Sequence, residues 1–264
     1  MRIAFVGRVS SGKTTCAAVL GRYLAAQGMP VLAIDAGAVR RLGPALGVDE
    51  AMPPLPAWLD ERPQDSDRGD RRLVDLDPAG ELLARHTVGA PDGVRLLATG
   101  AVAPLLDRLA DGEREYVVLD LAADAFTVGL CTRFDMTVLV AEPTRRDIGL
   151  YRQCAEKASG HAVELRVLGN KISDGGDTAW LTEQMGDALL GCVGHSAWVR
   201  AAERGTAGPI SGLEPGNTHA MAAVHHALAA RRRIWKTQQG DPAATRSQQD
   251  HPVGVATAYS ASSR

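Results

Sequence analysis

The stretch Gly7-Arg8-Val9-Ser10-Ser11-Gly12-Lys13-Thr14 decides the fold. It fits G-x-x-x-x-G-K-[ST], the Walker A spacing. It lies between an apolar run, Arg2-Ile3-Ala4-Phe5-Val6, that reads as a buried strand, and a helix-like stretch at 13–27. The glycines let successive backbone N–H groups curl round an anion. The helix that follows points the positive end of its dipole at the same place. Lys13 is expected to reach the β- and γ-phosphates and the Thr14 hydroxyl to ligate Mg2+. Gly7, Arg8, Val9, Ser10, Ser11, Gly12 and Thr15 complete the expected nucleotide cradle.

Working outward, further apolar runs read as strands at 30–34 (ending at Asp35), 94–98, 116–121, 136–141, 163–169 and 189–193. Helix-like stretches at 102–110, 145–158 and 178–187 separate most of them. Continuous apolar strands alternating with helices predict a doubly wound, mostly parallel α/β sheet covered on both faces. Two regions break the pattern. Residues 41–93 carry seven prolines and the charged patch 60–68, which predicts an irregular, partly mobile insertion. Residues 237–264 hold little to bury and predict a disordered tail, leaving 1–236 as a single nucleotide-binding domain. The chain has 264 residues, 45% hydrophobic, with a formal net charge of -2. That balance gives no reason to expect a nucleic-acid partner. No apolar run is long enough to span a membrane and no leader is evident, so a cytoplasmic protein is expected. The four cysteines are scattered, which argues against a disulfide framework or a zinc site.

A phosphate loop needs an acid for its metal. Asp120 ends the 116–121 strand, where a metal-holding aspartate belongs at the carboxyl edge of the sheet. Asp35 ends its strand in the same way. Asn170-Lys171 follows the 163–169 strand and is a candidate base-recognition pair, the amide reading a purine edge and the lysine stem packing on the ring.

Taken in order, Gly7–Thr15, Val31–Ala36, Val117–Asp120, Val138–Thr144 and Leu168–Lys171 resemble MinD/ParA-type P-loop ATPases of the SIMIBI class. Within them the chain looks most like the CooC-like branch, which serves carbon monoxide dehydrogenase maturation. The resemblance covers about residues 2–233. It implies ATP and Mg2+ as cofactors, Thr14 and Asp120 holding the metal, and a nucleotide-dependent homodimer that switches a partner protein. It also implies ATP rather than GTP.

The departures bear on mechanism. The family's loop reads G-K-G-G-x-G-K-[ST], and its first lysine reaches the nucleotide of the second subunit. Arg8 stands there, a planar fork instead of a compact ammonium, and is a possible contact across the dimer. Val9-Ser10 replaces the glycine pair. Where the family has D-x-D-P, this chain has Asp35-Ala36-Gly37-Ala38, so the second acid is absent and Asp35 remains as the switch-region acid. Asp124 takes the place of a glycine expected to face the γ-phosphate. Lys13, Asp35 and Arg8 are thus the catalytic candidates, and nucleotide binding is predicted more strongly than hydrolysis. The alternative is a nucleotide-binding regulator or scaffold with little turnover. The C-x-C of nickel-handling members is missing, so nickel insertion is not carried over.

The last helix is expected at 218–236, with Met221, Val224 and Leu228 on one stripe and Arg231-Arg232-Arg233-Ile234-Trp235-Lys236 at its end. Membrane contact through this basic end is an open alternative. A core-packed helix with cations at its C-terminus is preferred, because the apolar face is short and alanine-rich.

Overall fold

The computed structural model describes residues 1–37, 39–49, 52–53, 55, 85–100, 102–109, 115–121 and 126–238. Asp124, most of the insertion and the tail beyond 238 lie outside the described residues.

Among the described residues the chain forms one sheet of eight strands in the order β3-β4-β2-β5-β1-β6-β7-β8. The strands are β1 (Arg2–Val6), β2 (Val31–Asp35), β3 (Val88–Gly89), β4 (Arg95–Ala98), β5 (Tyr116–Asp120), β6 (Met136–Ala141), β7 (Leu165–Ile172) and β8 (Leu189–Gly194). Every pairing is parallel except β3 with β4. The helices are α1 (Lys13–Ala26), α2 (Leu42–Leu46), α3 (Val102–Arg108), α4 (Val128–Cys131), α5 (Arg145–Ala158), α6 (Gly175–Met185), α7 (Ala197–Ala202) and α8 (Pro215–Gln238).

The central strands are apolar on both faces because both faces are covered. On β1, Ile3 and Phe5 enter one core layer, with Leu20 and Leu24 of α1 and Met221, Val224 and Leu228 of α8. Ala4 and Val6 enter the opposite layer, with Leu105 of α3, Ile148 of α5 and Leu181 of α6. The two-residue alternation of a strand is thereby read by helices on either side. α1 takes its buried face from Cys16, Leu20 and Leu24 at four-residue steps, with Ala17 and Gly21 beside them. β1 is flanked by β5 and β6, so the strand order reverses there, and this is the switch point where doubly wound sheets bind ligands.

Two regular elements, α2 and the antiparallel edge strand β3, lie inside the 41–93 segment read as an irregular insertion. α2 forms because its N-terminal amide at Leu42 is taken by the Asp35 carboxylate, a partner seven residues away that no local pattern advertises. α4 has no counterpart among the expected helices, being too short to show a period. The last helix begins at Pro215 and runs to Gln238. Residues Met1–Leu228 form one compact unit, and the described residues from Ala229 onward belong to a second.

Candidate functional site

The loop from Gly7 to Gly12 leaves the end of β1 and turns directly into α1. Gly7 passes so close to β6 that a Cβ there would sit 2.7 Å from the Val140 carbonyl oxygen. Ser10 and Gly12 both have positive φ, 67° and 91°. Gly12 caps α1 in the left-handed conformation, and a Cβ on it would run into the Asn170 amide nitrogen. The Arg8–Ser11 turn is closed by a bond from the Ser11 N–H to the Arg8 carbonyl, 3.2 Å. Alternating hand along successive residues makes the concave run of N–H groups that binds anions, and the N-terminus of the 14-residue α1 opens onto it.

Thr14 and Asp120 lie side by side. The Thr14 hydroxyl donates to Asp120 Oδ2 at 2.6 Å. The other carboxylate oxygen, Oδ1, is buried and has no hydrogen-bond partner among the described residues. An unpartnered buried carboxylate oxygen is costly unless a cation or water completes it. Burial pushes the Asp120 carboxyl up to about 6, against the pull of the Thr14 bond and the Lys13 charge and with a smaller push from Asp35. A hydroxyl and a carboxylate, both oxygen donors, are the ligand chemistry that Mg2+ takes, and the residues present fit that ion. Beneath them Cys16 is buried, its thiol pushed up to about 12 by burial and by the Asp120 charge.

Asp35 is a neighbour of Asp120 in the parallel register of β2 and β5. Its carboxylate is fully buried and turned back onto its own chain, accepting from the Gly37 N–H at 3.1 Å and the Leu42 N–H at 2.9 Å. Burial raises its pKa above the usual carboxylate value, and those amide bonds oppose the rise. It therefore anchors Gly37 and the start of α2.

Asn170 and Lys171 stand against the back of the loop. Asn170 Nδ2 donates to the Ser11 carbonyl at 2.8 Å. Lys171 Nζ donates to the Ser10 carbonyl at 2.7 Å and pairs with Glu142 Oε1 at 2.7 Å. Arg8 also turns inward on its own chain, Nη1 lying 3.0 Å from Asp147 Oδ1. Asp147 is buried, and its second oxygen accepts from the Glu142 N–H at 2.7 Å. Val9 projects from the loop, 72% exposed.

Asp147 and Glu142 are the site residues that sequence reasoning missed. Thr144 is the N-cap of α5, three residues before Asp147, and this spacing is a legible helix-start signal. Nothing local announces that the Asp147 carboxylate reaches Arg8. Glu142 falls inside the Val138–Thr144 segment of the resemblance, but nothing there marks its side chain as a contact of the loop.

No family model matches the chain. Among proteins of described function it is 26% identical over 234 residues to the carbon monoxide dehydrogenase accessory protein CooC of Rhodospirillum rubrum, covering 77% of this chain and 87% of that protein. Among solved structures it is similar to MinD in the MinC:MinD cell division complex of Aquifex aeolicus, with a TM-score of 0.61 and 18% identity over 87% of this chain and 96% of that one. The septum site-determining protein MinD of Pyrococcus horikoshii, complexed with Mg-ADP, superposes with a TM-score of 0.61 and 17% identity over 88% and 99% of the two chains. The Cyanothece McdA(D38A)-ATP complex matches with a TM-score of 0.59 and 19% identity over 87% and 96%. The chain has the fold of MinD/ParA-type P-loop ATPases, and its sequence is similar to CooC.

Proposed function

We propose that this chain, built on the MinD/ParA-type P-loop fold, is an Mg2+-dependent ATPase that works as a nucleotide-dependent homodimeric switch on a partner protein. The observation that carries the reading is the Thr14–Asp120 pair, 2.6 Å apart, with Asp120 Oδ1 beside it left without a partner among the described residues. Thr14 and Asp120 would hold the metal, Asp120 as its negative partner. When bound, Mg2+ neutralises charge on the β- and γ-phosphate oxygens. Lys13 binds the same oxygens, and the loop amides that the Arg8–Ser11 turn leaves free cradle them. Asn170 reads the base with Oδ1, the atom its bond to Ser11 leaves unused, and the Lys171 stem packs beside the ring. Arg8 reaches a second subunit only by giving up Asp147. The similarity to CooC and to MinD in complexes with MinC and Mg-ADP supports nucleotide, metal and partner as the ingredients.

A second reading, nucleotide binding with little turnover, is favoured by Asp35. Both of its oxygens already accept amide bonds, and Gly37 offers no second acid to position water. Phosphate release from Mg·ATP, with Lys13→Ala as control, separates the two. Turnover that vanishes in the variant supports the ATPase. Binding of Mg·ATP without turnover above the variant supports the second reading. Failure of wild-type protein to bind Mg·ATP overturns both.

A further inference from the structure

The loop contains a residue in a conformation that its side chain resists. Ser10 has φ 67°, left-handed, at a position where a glycine would be unstrained. Strained backbone of this kind persists only where its surroundings hold it. Here the holder is visible. The Ser10 carbonyl accepts from Lys171 Nζ at 2.7 Å, and the same ammonium is gripped by Glu142 Oε1 at 2.7 Å. Glu142 is itself pinned through its N–H to the buried Asp147. Lys171 too is left-handed, φ 59°, so the ammonium comes from a backbone bend on the strand next to β6. We propose that Lys171, oriented by Glu142, is a positioning residue that holds the Ser10–Ser11 peptide, and with it the Arg8–Ser11 turn, in the geometry that binds phosphate.

The physical argument is directional. A trans peptide is planar, so a carbonyl held outward turns its own N–H the opposite way. Lys171 holds the Ser10 carbonyl outward, and the Ser11 N–H on the same peptide closes onto the Arg8 carbonyl at 3.2 Å. Asn170 does the same one peptide later, holding the Ser11 carbonyl and turning the Gly12 N–H inward. The Lys171–Glu142 pair is 43% and 27% exposed at its side chains, so as an ion pair it adds little to stability. Its role lies in where it places Nζ. A lysine here acts on phosphate affinity without touching phosphate.

This inference rests on the nucleotide reading above, and the test separates the two. Binding of a fluorescent Mg·ATP analogue is titrated, and hydrogen exchange of the amides at 9–13 is followed without nucleotide. Given wild-type binding, Lys171→Ala is expected to bind about tenfold more weakly, the factor set by releasing the strained peptide. Glu142→Ala is expected to bind more weakly as well. By charge alone, deleting a carboxylate near a polyanion site would tighten binding, so the sign discriminates. Adding Ser10→Gly to Lys171→Ala is expected to recover most of the loss, because glycine needs no holder. It cannot restore a missing charge. Exchange in the nucleotide-free protein is expected to quicken in both single variants. Unchanged affinity in Lys171→Ala, tighter binding in Glu142→Ala, or no recovery with Ser10→Gly each overturns the proposal and leaves the nucleotide reading standing. A wild type that binds no Mg·ATP overturns the reading and the positioning role with it.

Discussion

Placing a methyl group at Gly12 tests whether the loop is built against Asn170. Gly12 has φ 91°, and a Cβ there would run into the Asn170 Nδ2. Two separate terms follow for Gly12→Ala. An L-residue held left-handed costs about 1–2 kcal/mol. To admit the methyl, Asn170 must leave the Ser11 carbonyl, and losing that bond at a buried site costs about 1–3 kcal/mol. The single variant should therefore lose about 2–5 kcal/mol. Asn170→Ala alone should lose the bond term, about 1–3 kcal/mol. In the double variant the clash is gone and the bond is lost only once, so its loss should match that of Gly12→Ala rather than the sum. The coupling energy then equals the bond term, about 1–3 kcal/mol. Urea unfolding of the four proteins without nucleotide reads this directly. If the two single losses add to within about 0.5 kcal/mol, the contact with Asn170 is not what keeps a side chain out of position 12.

Other parts of the fold carry expectations of the same kind. Arg22, 3% exposed on α1, pairs with Asp92 Oδ2 at 2.6 Å, donates to the Gly208 carbonyl and lies over the Trp198 ring. Asp92→Ala strands this buried cation and should cost about 3 kcal/mol in urea, and a loss under about 1 kcal/mol would refute the buried pair. At Glu214 burial favours the neutral acid, but bonds from Ser196 and from the Ala197 and Trp198 amides override it and hold the carboxyl down to about 2. A depressed pKa means stability that is present above the ordinary value of 4.5 and is lost as pH falls toward about 2. Wild type should therefore exceed Glu214→Gln in thermal midpoint at pH 7 and converge with it near the acid end. A constant difference across that range would sink the assignment. Gly37→Asp places a side chain 3.2 Å from the Val39 carbonyl and 3.4 Å from Asp35 Oδ1. The new carboxylate should be pushed out of the turn, and phosphate release from Mg·ATP should rise only if it swings toward the loop. A large gain would show that the absent second acid is what limits turnover, and an unchanged rate in an active protein would locate water activation elsewhere.

Much of the molecule is legible one residue at a time. β1, β6 and α5 fall at the predicted residues because buried strands and an amphipathic helix are local patterns. The phosphate loop is legible for the same reason: glycine, lysine and threonine at set spacing describe one turn of backbone. What escaped is short or non-local. α2 depends on a carboxylate at the end of β2, and β3 is two residues of edge strand. Asn170-Lys171 was readable as a pair near a nucleotide, and the structure puts it against the back of the loop, 159 and 161 residues away in sequence from its partners.

The sequence by itself determined the parallel strands of the sheet, the loop and the identity of the Thr14–Asp120 pair, because each is written in neighbouring residues or in the strand-end positions of an alternating fold. Only the tertiary structure decided what Asp35, Arg8 and Lys171 do. Arg8 finds Asp147 across 139 positions, Lys171 finds Ser10 across 161, and Asp35 turns from the loop to cap α2. A charged side chain takes the nearest partner that compensates its desolvation, and which partner is nearest is a property of the folded chain.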